Sequence, residues 1–177
     1  MKGLIQIYCG DGKGKTTAAV GQAVRSAGCG LPVVAVRFLK TEDSGELLSL
    51  RRLPGVYLIP CERSFGFFWN MTEEEKKEAA EVYGRMMEKA FAEAEKLAAD
   101  GGALLVMDEA MAAYNHGLID RERLLGFLRE KPESLEVVMT GRDPAAELLE
   151  LADYVSEIRK VKHPFDRGIA ARKGIEY

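Results

Sequence analysis

The stretch Gly10-Asp11-Gly12-Lys13-Gly14-Lys15-Thr16-Thr17 constrains this chain more than any other, because of what stands on either side of it. Before it runs the apolar segment Leu4-Ile5-Gln6-Ile7-Tyr8. After it, residues 15–27 are helix formers up to Gly28 and Gly30, which suit a helix stop. Strand, glycine loop, helix is the order in which backbone N–H groups converge on an anion at a helix N-terminus. Gly10, Gly12 and Gly14 permit that path, Lys15 brings a mobile positive charge to phosphate oxygens, and Thr16 offers a hydroxyl to Mg²⁺. The first glycine of the usual phosphate-loop pattern is replaced by Cys9, which is assigned to the strand end; the loop is one residue tighter than usual. A Gly-Lys-Thr string also arises by chance in lysine-rich turns. Its place at the first strand-to-helix junction favours a nucleotide site.

The rest of the chain alternates in the same way. Residues 33–39, 56–59, 135–139 and 154–158 read as strands, and 103–107 is a nearly pure apolar run of the kind buried on both faces of a parallel sheet. Thr72 with Glu75 forms a capping box for a long helix whose Tyr83, Met86, Met87, Ala90, Phe91, Ala94, Leu97 and Ala98 recur every three or four residues. That stripe reads as core packing. Asp143-Pro144 is expected to cap a short helix. The pattern predicts an α/β, P-loop NTPase-like three-layer fold with an open, mostly parallel sheet of about six strands. One domain over residues 1–177 is expected, with its ligand site at the carboxyl ends of the strands.

Composition limits the partners. The chain has 177 residues, 47% hydrophobic and 30% charged, and its net charge of -3 gives no global attraction to nucleic acid. No apolar run reaches the roughly 18 residues of a membrane span, and no secretory signal opens the chain. A cytoplasmic protein with no nucleic-acid or membrane partner is expected. Cys9, Cys29 and Cys61 are widely spaced and read as reduced core residues; His116 and His163 lack a second ligand at helical spacing, which argues against a histidine metal site.

Further candidates follow the strands. Asp108-Glu109 ends a buried run and fits the acidic element that holds or orients a metal, although it would also suit a helix start. Arg142 leaves another strand and would clamp phosphates, or stand as a surface arginine. Ser64 to Asn70 packs four aromatics into one loop, which marks a site or anchors the loop onto the core. His163 reads as a loop residue that orders the tail. The basic residues Arg159, Lys160, Lys162, Arg167, Arg172 and Lys173 read as a solvated surface or as contacts to phosphate, substrate or a reductase.

Several stretches together resemble the P-loop ATP:corrinoid adenosyltransferases: the loop 10–19, Phe38-Leu39-Lys40, Gly66-Phe67-Phe68-Trp69, Asp108-Glu109, Thr140-Gly141-Arg142, residues 151–158 running into Val161-Lys162-His163-Pro164-Phe165-Asp166-Arg167-Gly168, and the closing Gly174-Ile175-Glu176-Tyr177. The tightened loop is the family's own form. The resemblance implies transfer of the 5′-deoxyadenosyl group of ATP to a Co(I) corrinoid, with release of triphosphate. It implies that Gly10, Asp11, Gly12, Lys13, Gly14, Lys15, Thr16 and Thr17 bind ATP, that Thr16, Asp108 and Glu109 hold Mg²⁺, and that Lys15, Glu109 and Arg142 are catalytic. It assigns Phe67 and Trp69 to the corrinoid face, and implies a homodimer and a flavoprotein reductant. Members are described as holding ATP in the reverse sense along the loop. Longer members carry an amino-terminal extension over the site; here Met1 to Gly3 precede Leu4, so closure is expected to use something else or to be less complete. Arg37 stands where a glutamine is expected.

Other P-loop chemistries compete. An ATPase would use Glu109 to activate water at the γ-phosphate. A kinase would need an acceptor site and a lid, for which residues 41–52 would serve; a nucleotide-binding interaction protein would turn nothing over. None of these has a reason to require the aromatic loop and residues 162–168.

Overall fold

A computed structural model describes residues 2–40, 44–66 and 68–176. Within them the chain runs β1 (Ile5–Cys9), α1 (Lys15–Gly28), β2 (Val33–Arg37), α2 (Gly45–Leu50), β3 (Val56–Leu58), α3 (Glu73–Ala99), β4 (Ala103–Asp108), α4 (Ala110–Asn115), α5 (Arg121–Glu130), β5 (Leu135–Thr140), α6 (Ala146–Leu151) and β6 (Tyr154–Glu157). The six strands form one open sheet in the order β3-β2-β4-β5-β1-β6, and every pairing is parallel.

Residue alternation within strands buried on both faces divides the core in two. Val34 and Val36 of β2 and Leu105 and Met107 of β4 face α3, whose Tyr83, Met86, Met87, Ala90, Phe91 and Ala94 fill that layer. Val33, Ala35, Leu104 and Val106 face the other way, against Ala19 and Ala23 of α1 and Leu50 of α2. The methionine and aromatic stripe of α3 is therefore core. Its capping box is complete: Glu75 N–H donates to Thr72 Oγ1 at 3.2 Å, and Thr72 N–H donates to Glu75 Oε2 at 2.8 Å.

Three local readings are corrected. The second strand ends at Arg37 rather than residue 39, because Leu39 turns into the left-handed region at φ 53° and breaks the ladder. The N-cap of α6 is Ala145 with no side-chain cap, and Asp143 instead occupies a left-handed turn at φ 50°. Of the three free cysteines only Cys9 is buried; Cys29 is exposed at the end of α1 and Cys61 is half-buried. The lid assigned to residues 41–52 lies outside the described residues at 41–43, and the rest of it holds α2, pinned by buried Leu47 and Leu50.

Register places the site. Tyr8 of β1 lies beside Thr140 of β5, and Arg37 of β2 lies beside Asp108 of β4. The carboxyl ends of four strands thus meet on one edge, with the glycine loop among them.

Candidate active site

The loop between β1 and α1 is held against the end of β6. Gly12 N–H donates to Ile158 O at 2.7 Å, and Lys160 N–H donates to Asp11 Oδ1 at 2.9 Å, which holds the Asp11 carboxyl below its ordinary pKa. A Cβ on Gly12 would lie 2.7 Å from Ile158 O and 2.8 Å from Arg159 C, so this crossing tolerates no side chain. Gly14 enters α1 at φ 127°, a conformation that suits glycine. Cys9 is the last residue of β1, as the tightened spacing predicts.

A cavity of about 210 Å³ opens over the loop, lined by residues 11–17 together with Glu109, Arg142, His163, Ile175 and Glu176. The structure therefore brings Asp11 to Thr17, Glu109 and Arg142 together. Lys15 is buried and its Nζ donates to Gly12 O at 2.9 Å, so the ammonium lies folded along the loop. Burial lowers its pKa, and the Arg142 guanidinium lowers it further. Burial raises the pKa of the Glu109 carboxyl, with the Asp108 charge adding to the effect. Glu109 is also strained, sitting left-handed at φ 58° immediately after β4.

Beneath the cavity lies a polar network that the linear sequence conceals. Asp108 is 2% exposed. Its Oδ1 accepts from Thr140 Oγ1 at 2.6 Å and from Thr16 Oγ1 at 2.9 Å, while Thr140 Oγ1 accepts from Glu109 N–H at 3.0 Å. Its Oδ2 has no hydrogen-bond partner; Lys40 Nζ lies 2.6 Å away as a charge pair without hydrogen-bond geometry. Lys40 Nζ also donates to Thr16 Oγ1 at 2.7 Å. Arg37, at the position where a glutamine was expected, is buried and ties β2 to α2, donating to Ser44 Oγ at 2.5 Å and pairing with Glu46 at 3.6 Å.

The aromatic loop divides between its two readings. Phe65 packs edge-on to Tyr83 at 5.9 Å, and Phe68 stacks on His116 at 3.9 Å with Lys76 5.0 Å from its ring, so both anchor the loop. Trp69 is 74% exposed and does not line the cavity over the loop. Phe67 lies outside the described residues.

The carboxyl-terminal tail reaches the cavity not through its basic residues but through His163, Ile175 and Glu176, and no sequence signal singled out the last two for the site. His163 does order the tail: its Nδ1 accepts from Phe165 N–H at 3.2 Å and caps the 3₁₀ turn Pro164–Arg167. It also lines the cavity, as do Ile175 and Glu176. Arg172 holds Glu176 at 3.0 Å and pulls its pKa down to about 2. Among the tail's basic residues, Lys160 pairs with Asp166 at 3.2 Å and Arg159 approaches Glu157 at 4.0 Å, as expected of a solvated surface.

Comparison with known proteins gives the family. The family described as ATP:corrinoid adenosyltransferase BtuR/CobO/CobP matches over residues 1–177. The chain belongs to that family. It is 35% identical to the corrinoid adenosyltransferase of Pseudomonas aeruginosa, covering 99% of this chain and 84% of that one. It is 36% identical to the corrinoid adenosyltransferase of Escherichia coli K12 and to the corrinoid adenosyltransferase CobA of Salmonella typhimurium, in each case over 99% of this chain and 86% of the relative. Among solved structures, ATPases 2 and 3 of EssC from Geobacillus thermodenitrificans superpose with a TM-score of 0.55 at 14% identity, covering 97% of this chain and 35% of that one. That likeness concerns the fold. For this family member the alternatives at the γ-phosphate lose their ground. Among the described residues no helix is long and apolar enough to cross a membrane, and no group of three or more His, Cys, Asp or Glu side chains is arranged to hold a metal ion.

Proposed function

We propose that this chain, acting as one domain over residues 1–177, transfers the 5′-deoxyadenosyl group of ATP to the cobalt of a Co(I) corrinoid in cobalamin biosynthesis or salvage. The observation that carries the reading is a loop cavity lined by Lys13, Lys15 and Arg142 in a chain that matches the adenosyltransferase family from end to end. The cobalt nucleophile attacks C5′, the C5′–O bond breaks, and triphosphate leaves with the bonding electrons. Co(I) is itself a strong nucleophile, so the protein has no need to activate one. Its tasks are to align C5′ and to meet charge growing on the leaving triphosphate. The loop amides and Lys15 suit the phosphates, and Arg142 suits a bidentate clamp.

The residues present fit a divalent ion. Asp108 offers a buried carboxylate oxygen without a hydrogen-bond partner, and Thr16 a hydroxyl joined to the same carboxylate. These two, with Glu109 at the cavity wall, would hold Mg²⁺, with ATP oxygens completing its coordination. The ion would supply charge neutralisation on the triphosphate. Trp69, 74% exposed, is assigned with Phe67 to the corrinoid face. A homodimer, a flavoprotein electron donor and a cytoplasmic location complete the proposal. The exposed Tyr154 and Val155 on the edge strand β6 support pairing of copies.

The test is anaerobic incubation of the protein with MgATP and chemically reduced cob(I)alamin. Light-sensitive adenosylcobalamin formed together with stoichiometric triphosphate is the expected result. Orthophosphate released without corrinoid, and no adenosylated product, would instead make Glu109 the activator of a hydrolytic water.

A further inference from the structure

Lys40 is a residue that the proposed reaction does not use, yet it stands in the polar network beneath the cavity. Its Nζ lies 2.7 Å from Thr16 Oγ1 and 2.6 Å from Asp108 Oδ2, the two groups that would hold the divalent ion. The position is built. Leu39, just before it, is left-handed and its N–H donates to Tyr83 Oη at 3.3 Å, so a fully buried residue of α3 fixes the turn from which Lys40 projects. The Lys40 side chain is 24% exposed while that of Asp108 is 3% exposed, so the ammonium has a route to solvent and the carboxylate has none.

A buried carboxylate oxygen without a hydrogen-bond donor is costly unless a cation faces it. Here that cation is Lys40. An ion ligated by Thr16 Oγ1 and Asp108 Oδ2 would occupy the space Nζ now fills, and two cations at such range repel strongly. We infer that Lys40 is an internal counter-cation that holds the metal position of the nucleotide-free protein, and that Mg²⁺ and the Lys40 ammonium compete for Asp108. The inference rests on the reading of Thr16 and Asp108 as metal ligands. It follows that metal enters with ATP, whose oxygens supply the coordination that the protein lacks, and that Lys40 swings outward as it does so. In metal-free solution Lys40 stays in place and supplies part of the positive charge the phosphates need.

Competition is a coupling between a residue and an ion, so it is measured as a ratio. ATP affinity is determined by titration calorimetry with excess Mg²⁺ and again with EDTA, for the wild type, Lys40→Met and Lys40→Gln. The enhancement of affinity by Mg²⁺ is expected to be at least about tenfold larger in both variants than in the wild type. Lys40→Gln keeps a neutral donor for Thr16 and guards against a simple packing defect; melting followed by circular dichroism checks that each variant is folded. Asp108→Asn is expected to remove most of the enhancement. Equal loss of affinity with and without Mg²⁺ in the Lys40 variants would overturn the inference, and so would an enhancement that survives in Asp108→Asn. No corrinoid enters these titrations, so failure to form adenosylcobalamin would sink the proposed reaction and leave this result intact.

Discussion

Replacing Thr140 by valine tests whether the buried network under the cavity is a structural unit. Thr140 is fully buried, and valine matches its shape while deleting the hydroxyl. Two interactions disappear together: the 2.6 Å bond to Asp108 Oδ1, and the acceptor for Glu109 N–H at 3.0 Å. A hydrogen bond to a charged group contributes about 1.5–3 kcal/mol, and an orphaned buried amide costs about 1–3 kcal/mol. The two overlap, since both run through one oxygen, and the added methyl recovers some burial. The net loss should be about 2–4 kcal/mol, a large share of the roughly 5–15 kcal/mol that separates folded from unfolded states.

Urea unfolding measures it directly. The midpoint should fall with the slope unchanged, because the surface exposed on unfolding is the same. The melting temperature should drop by several degrees, at roughly 2–4 °C per kcal/mol for a chain of this size. Thr140→Ser keeps the hydroxyl and loses one buried methyl, so it should cost clearly less than valine. A Thr140→Val loss below about 0.5 kcal/mol, the size of an ordinary surface substitution, would show that Asp108 and the Glu109 amide find other partners. A serine variant as unstable as valine would shift the cause from hydrogen bonding to packing.

Other perturbations separate the parts of the site. Gly12→Ala drives a Cβ into Ile158 O and should move the loop off β6, weakening ATP binding at least about tenfold by calorimetry; unchanged affinity would mean that the loop does not need this crossing. Glu109→Gln should raise the melting temperature at neutral and higher pH, where the wild type keeps a carboxylate charged against a burial-raised pKa. The protonated form is the one this environment favours, so the advantage should shrink as pH falls through the raised value and vanish below the ordinary carboxylate range; a pH-independent difference would contradict the cause assigned. Trp69→Ala removes an exposed side chain and should shift stability by under about 0.5 kcal/mol, leave ATP affinity nearly intact and impair adenosylation of the corrinoid; equal loss of ATP affinity would refute its separate role.

How much of this was legible in the sequence follows from which features are local. Parallel strands buried on both faces read as continuous apolar runs, and residues 103–107 needed no partner to be recognised. The loop is confined to eight consecutive residues, and Asp11 to Thr17 of them line the cavity. By contrast, α2 and α4 are six residues long, too short for a helical period to show. The ten-residue α5 had a usable signal that was overlooked: Asp120 caps it, accepting from Arg123 N–H at 3.0 Å, and Leu124, Leu125, Phe127 and Leu128 are buried. The network of Lys40, Asp108, Thr140 and Thr16 was out of reach for a different reason. Its members come from four separate segments, and they meet only because β2, β4, β5 and β1 are neighbours in that order, which pattern within a strand does not encode. The same holds for Ile175 and Glu176, more than 150 residues from the loop they cover.

The strain in the backbone is distributed in accord with the proposed chemistry. The non-glycine residues with positive φ among those described are Leu39, Glu109 and Asp143, and they follow β2, β4 and β5 respectively. Each such conformation costs on the order of 1–3 kcal/mol and persists only where surrounding structure over-determines it. Here the supports are visible. Tyr83 Oη accepts from Leu39 N–H, Thr140 Oγ1 accepts from Glu109 N–H, and Asp143 O accepts from the Asn115 side-chain amide at 2.8 Å. At Glu109 itself, and at Asp143 next to Arg142, the chain turns abruptly at the sheet edge beside a residue of the cavity wall, whereas the turn at Leu39 carries Lys40, which the proposed reaction does not use. A reaction whose nucleophile arrives already activated in the substrate asks the protein for fixed charges in fixed places, because reorganising them during bond breaking would consume the stabilisation they provide. Short strained turns supported from the packed core meet that requirement better than long mobile loops. These turns are held from the packed core, so the stability of the fold and the placement of Glu109 and Arg142 depend on the same hydrogen bonds.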